Sequence, residues 1–185
     1  RPIILTDELN KKQQASYFMM SPPLTCPITD PAPLLPHSGR MVLLDCITDY
    51  SDHHLTATAH IHENHILLHN NRLPCLLGME IMAQGIAALV GCHAINAGKP
   101  IQLGFLLGTR KLNLFADSLP VHTQLLIKVQ ESVSDATGFG VFDCELHWTN
   151  APEADRPHLP ADGLLIQASL NVYSPKEHPS HKENA

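Results

Sequence analysis

With 185 residues, 44% of them hydrophobic and 16% charged, the chain is long enough for one domain with a true core. Its formal net charge of −6 and lack of a Lys/Arg run beyond doublets exclude a nucleic-acid binder built on a basic face. The same charge weighs against an acidic carrier protein as partner, unless a local patch such as Arg110-Lys111 receives it. Cys26, Cys46, Cys75, Cys92 and Cys144 are widely spaced and contain no CxxC pair, which excludes a disulfide framework and a zinc ribbon. Reduced thiols, and a start (RPIILTDELNKK) without the order of a secretory signal, lead to the expectation of a cytoplasmic protein.

Residues 1–25 run from polar to proline-rich and read as an N-terminal extension; 26–174 form the predicted domain, and PKEHPSHKENA closes the chain as a disordered tail over 175–185. Two strand-like segments, 41–50 and 53–62, flank Ser51-Asp52 and predict a hairpin. The cluster His53, His54, His60, His62, His65 and His69 raises the question of a metal. Strand alternation puts His60 and His62 on one face, and no HExxH accompanies His65 and His69, so solvated histidines and no metal or cofactor are expected. A loop, 63–74, carries the turn signal Asn70-Asn71 and ends at Pro74.

A helix is predicted from Leu76 to Ala97, stopped by Gly98 and Pro100. Its first twenty residues are nearly all apolar or small, yet contain the carboxylate Glu80, with Gln84 four residues on along the same face. An unpaired buried carboxylate costs several kcal/mol or takes up a proton, so Glu80 is either expensive or useful. Three plainer readings stand beside the chemical one. The first is a membrane span, which the length allows but Glu80, Gln84, His93 and the missing basic flank oppose. The others are a core helix whose acid reaches the surface, and a dimer seam on the small residues Gly78, Ala83, Gly85, Ala87, Ala88, Gly91 and Ala94. A helix apolar on every side is one wrapped by other structure.

Four long β-type segments follow, over 101–115, 121–133, 137–148 and 163–173, with a loop across 150–162. In the third, Phe142, Cys144 and Leu146 alternate with Asp143, Glu145 and His147, and the register slips near Val141. Two strands, one helix and four strands give an α+β hotdog fold, a curled antiparallel sheet wrapped around one long central helix. One flank of the helix and one sheet edge then stay open, so pairing of two copies is expected.

Three segments carry a resemblance. LLPHSGRMVLLDCI (34–47) and LPCLLGMEIMAQGIAA (73–88) resemble the leading segment and central-helix motif of hotdog 3-hydroxyacyl-[acyl carrier protein] dehydratases. LGFLLGTRKL (103–112) is similar to a segment of the dehydratase-like branch linked to aryl polyene-type lipid synthesis. The resemblance implies a homodimer, possible further or mixed assembly, and an acyl carrier protein or coenzyme A thioester as substrate. It also implies composite sites in which a helix carboxylate of one subunit faces a loop histidine of the other.

Glu80 then matches the carboxylate that protonates the departing hydroxyl, and Gln84 the motif glutamine at the substrate. Backbone N–H groups of Leu76, Leu77 and Gly78 would hold the thioester oxygen. The family's loop histidine falls where this chain has Ile66, and the glycine after its proline is Cys75. His69, beside the expected turn, is the preferred substitute and His65 the alternative. His37 matches a histidine given a structural role, and Cys75 reads as a packed thiol rather than a nucleophile. Three functions compete: a dehydratase, a hotdog acyl thioesterase, and a non-catalytic acyl-binding partner that has lost the loop histidine.

Overall fold

The structure, a computed structural model, describes residues 22–175; residues 1–21 of the extension expected over 1–25, and 176–185 of the tail expected over 175–185, lie outside the described residues. Alternation builds the sheet. In β7 (Phe139–Asn150), Phe142, Cys144 and Leu146 are buried while Asp143 faces solvent, the period of two that a half-covered strand demands. The other strands are β1 (Cys46–Tyr50), β2 (His54–His60), β4 (Phe105–Leu114), β6 (Gln124–Ser134) and β8 (Leu164–Tyr173). They form one antiparallel sheet of order β1-β2-β6-β7-β8-β4. The register slip expected near Val141 is a bulge on the partner strand, between Glu131 and Val133.

The central helix α1 (Gly78–Asn96) lies on the inner face of this sheet. Glycine lets the two approach: a Cβ on Gly85 would press on Val129 and Ile127, and one on Gly78 on Leu146 and Ile166. Ile81, Met82, Ala88, Leu89 and Cys92 fill the interface. The segment has the length and mean hydropathy (1.7) of a membrane span, but 61% of its most apolar stretch is buried in the protein, which identifies it as a core helix. Gly98, at φ +63°, ends it as expected.

Three features differ from the sequence reading. The helix starts two residues later than predicted, because Cys75–Leu77 form a 3-10 turn after Pro74 whose first N–H, on Cys75, donates to Asp117 O at 2.8 Å. Two three-residue strands, β3 (Arg72–Pro74) and β5 (Ser118–Pro120), form a separate ribbon too short to signal itself. And the strand expected from residue 41 begins only at Cys46, because 41–44 turn away to pack on the helix.

Those residues end a strap, 28–44, that crosses the flank of α1. It is tied to β1 by paired backbone bonds between Ile28 and Ile47 (2.9 Å each) and buries Leu34, Leu35, Leu43 and Leu44. It touches the helix at Gly91, where an added Cβ would overlap the backbone carbonyl of Leu34. A main-chain obstacle cannot rotate aside. Gly91→Ala should therefore cost about 1–3 kcal/mol, a fall in Tm of several degrees by thermal denaturation. Gly104→Ala, with only an ordinary contact to Tyr173 O at 3.9 Å, should leave Tm unchanged.

Candidate active site

The sheet covers one side of α1 and the strap a second. The stripe Glu80, Ala83, Ala87, Val90 and Ala94 remains open and floors a groove of about 930 Å³. Small side chains keep that floor low. Ile101, Phe105, Val172 and Tyr173 also line it, and Glu80 lines the end at the first turn of the helix.

Beside it hangs His37, carried by the strap, with Nε2 at 3.6 Å from Glu80 Oε1. In the single protomer the side chain of Glu80 is 37% exposed and that of His37 27%, because this flank of the helix is open. The Nδ1 atom of His37 is buried and has no hydrogen-bond partner among the described residues.

Gln84 is fully buried, and its amide is spent on the strap. Oε1 accepts the Leu43 N–H (2.9 Å) and Nε2 donates to Met41 O (2.7 Å), with a longer contact to Glu80 Oε1 (3.4 Å). The residue expected at the substrate thus fastens the element that brings His37 to Glu80. Gly78, expected to hold the thioester oxygen, points its N–H at the carbonyls of Cys75 and Leu76; Leu76 and Leu77 are exposed at the helix start.

His69 lies elsewhere in the protomer. It is exposed, and its backbone pairs with Arg72 across Asn70 and Asn71, both at positive φ (50° and 61°), so it borders the tip of a tight hairpin. It does not line the groove. His65 is half-buried; its Nδ1 accepts the Leu67 N–H (3.2 Å), and burial, with His62 nearby, pushes its imidazole below the usual range.

His60 and His62 share a face as the alternation requires, their ring centroids 4.4 Å apart, but among the described residues no three His, Cys, Asp or Glu side chains converge to hold a metal. Cys75 is buried, and desolvation pushes its thiol up to about 11, which removes it as a nucleophile at neutral pH. His37 escaped the sequence reading as a site residue because its neighbour is set by how the strap crosses the helix, a contact between residues 43 positions apart.

A curled sheet around a helix, with a carboxylate and an imidazole at the head of an apolar groove, defines a hotdog-fold protein with the makings of an acid–base site. The chain belongs to the ApeP-like family, ApeP dehydratase, which matches residues 29–183. No curated protein matches it. Among solved structures it is similar to a chain of the dehydratase heterocomplex ApeI:P from Xenorhabdus doucetiae, with TM-score 0.68 and 24% identity over 83% of this chain and 94% of that one. A weaker likeness is to a hypothetical thioesterase with coenzyme A from Streptococcus pneumoniae, with TM-score 0.48 and 16% identity over 71% and 86%.

Two outcomes follow from the site's construction. Gln84→Leu leaves the Leu43 N–H and Met41 carbonyl without partners, at about 1–3 kcal/mol each, so Tm should fall and amide exchange at Leu43 should accelerate. Burial lifts the Cys92 and Cys144 thiols to about 12, above the Cys75 thiol at about 11. At about pH 8 a thiol reagent should reach no more than Cys26 and Cys46 in the native protein, and all five cysteines after denaturation.

Proposed function

We propose that this chain dehydrates 3-hydroxyacyl thioesters, presented by acyl carrier protein or coenzyme A, in polyene-type lipid synthesis. The observation that carries the reading is Glu80 at the head of an apolar groove, with an imidazole beside it. The acyl chain lies along the small-residue floor, with its C2–C3 bond at Glu80. A histidine takes the C2 proton, the freed electron pair becomes the C2=C3 bond, and the C3–O bond breaks. Glu80 protonates the departing oxygen, which leaves as water. By resemblance, the histidine is His69 of a second protomer.

Assembly belongs to the same proposal. β4 ends the sheet with its outer edge unpaired by any described residue, and Phe105, Leu106 and Leu107 on it are exposed. A second hotdog chain, a copy of this one or a relative as in the ApeI:P heterocomplex, covers that edge and closes the groove. Arg110 and Lys111, exposed on β4, supply a local positive patch for an acidic carrier. A cytoplasmic setting, in keeping with five unpaired thiols, completes the reading.

The test is the ultraviolet absorbance of the enoyl thioester formed from a 3-hydroxyacyl thioester. The wild-type chain, alone or with its partner, should generate it, and Glu80→Gln should lower the rate roughly 10²- to 10⁴-fold with Tm maintained. Free thiol release without enoyl product would favour the thioesterase instead. An unchanged rate in Glu80→Gln would remove Glu80 from the mechanism.

A further inference from the structure

We infer that His60, His62 and His122 form an acid-sensitive latch at the root of the loop 63–71, closed while their rings are uncharged and loosened as protons gather on them. Two observations carry it: how the rings are grouped, and what holds the chain where they meet.

The alternation that buries Ala57, Ala59 and Ile61 turns His60 and His62 to the outer face of the sheet. His122 comes to the same place from the turn that precedes β6. Between centroids, the ring of His60 stands 4.4 Å from that of His62 and 6.0 Å from that of His122. Two of the three face a carboxylate. Asp45 Oδ1, where the strap joins β1, lies 3.9 Å from His62 Nε2, and Glu63 Oε1 lies 3.5 Å from His122 Nε2. His60, in the middle, pairs with no carboxylate among the described residues. A proton arriving there meets like charge whenever its neighbours hold theirs.

Few bonds hold the backbone at this point. Ile61 donates its N–H to Thr123 O (3.0 Å) and accepts the His122 N–H (2.7 Å), and just beyond these bonds the loop begins. His122 has φ +70°, a left-handed conformation that is strained for a residue of its size. Crowded charge therefore acts on a joint already under strain.

The direction of the response follows from His60. Burial first, and then His62, hold its imidazole below the ordinary value of 6.5. A histidine so depressed supports the closed form above that pH and withdraws its support as pH falls. His65, pushed down by burial and by His62, adds to the same response. Asp45 opposes it, because burial raises its carboxyl and protonation there favours closure. The loop carries His69, so opening displaces the proposed base; that consequence alone rests on the dehydratase reading.

The test is hydrogen exchange on the full chain, assembled as isolated, with protection factors compared between about pH 7.5 and 5.5. Protection of the Ile61 and His122 amides should fall roughly three- to tenfold, while that of Val129 and Leu146, in mid-sheet, holds. His60→Gln cannot take up the central charge. His122→Asn removes a flanking one and keeps a residue that tolerates the left-handed turn. Each should at least halve the fall, and His158→Gln, an exposed histidine outside the cluster, should reproduce it in full. Unchanged protection in the wild-type chain overturns the latch, as does an undiminished fall in both cluster variants. An equal fall at Val129 and Leu146 also overturns it, since the acid would then unfold the whole sheet. No substrate enters the measurement, so a chain that forms no enoyl product leaves this result standing.

Discussion

The structure depends on one buried amide. Gln84 lies inside the protein on the helix face that meets the strap, and each of its polar atoms meets a backbone group of the strap. Without that match, burying a glutamine amide would cost several kcal/mol. With it, the strap can leave the sheet at residue 45, lie against the helix and still have its backbone groups satisfied. Gly91 completes the arrangement further along, because only a residue without a side chain lets the Leu34 carbonyl come so near. Between these two anchors the chain carries His37 over Glu80. The chemistry at the groove head is thus set by a hydrogen-bonding requirement one helical turn away.

The division of labour on α1 follows from its side chains. Large apolar residues and close-fitting glycines face the sheet, where dense packing stabilises the fold. Alanines face the groove, where they leave room for a ligand and bring little polar surface to compete for it. This explains why the helix looks apolar all round in sequence although only part of it is covered. One side of the rod is apolar for packing, and the other is apolar where it lines the groove.

Much of the fold was legible because it is local and periodic. The alternation of β7, the hairpin at Ser51-Asp52, the bulge opposite Val141, the turn at Asn70-Asn71 and the helix stop at Gly98 all follow from short-range rules, and all are present. Glu80 was legible because a solitary acid in an apolar run needs a reason. The strap was not. Its leucines read as the start of a strand, since nothing in 41–44 tells an extended segment in the sheet from one pinned to a helix. His37 failed for the same cause: its neighbour is chosen by tertiary contact, not by spacing. β3 and β5, at three residues each with a proline in both, fall below what periodicity can register.

The two margins of the sheet are unlike, and the difference limits how far it can grow. At β1 the strap occupies the outer side through the exchange of bonds between Ile28 and Ile47, whereas at β4 the described residues leave the outer side bare. Joining two bare margins about a two-fold axis leaves only occupied ones outside. The strap that carries the imidazole thus also interrupts one of the two margins at which a further strand could add.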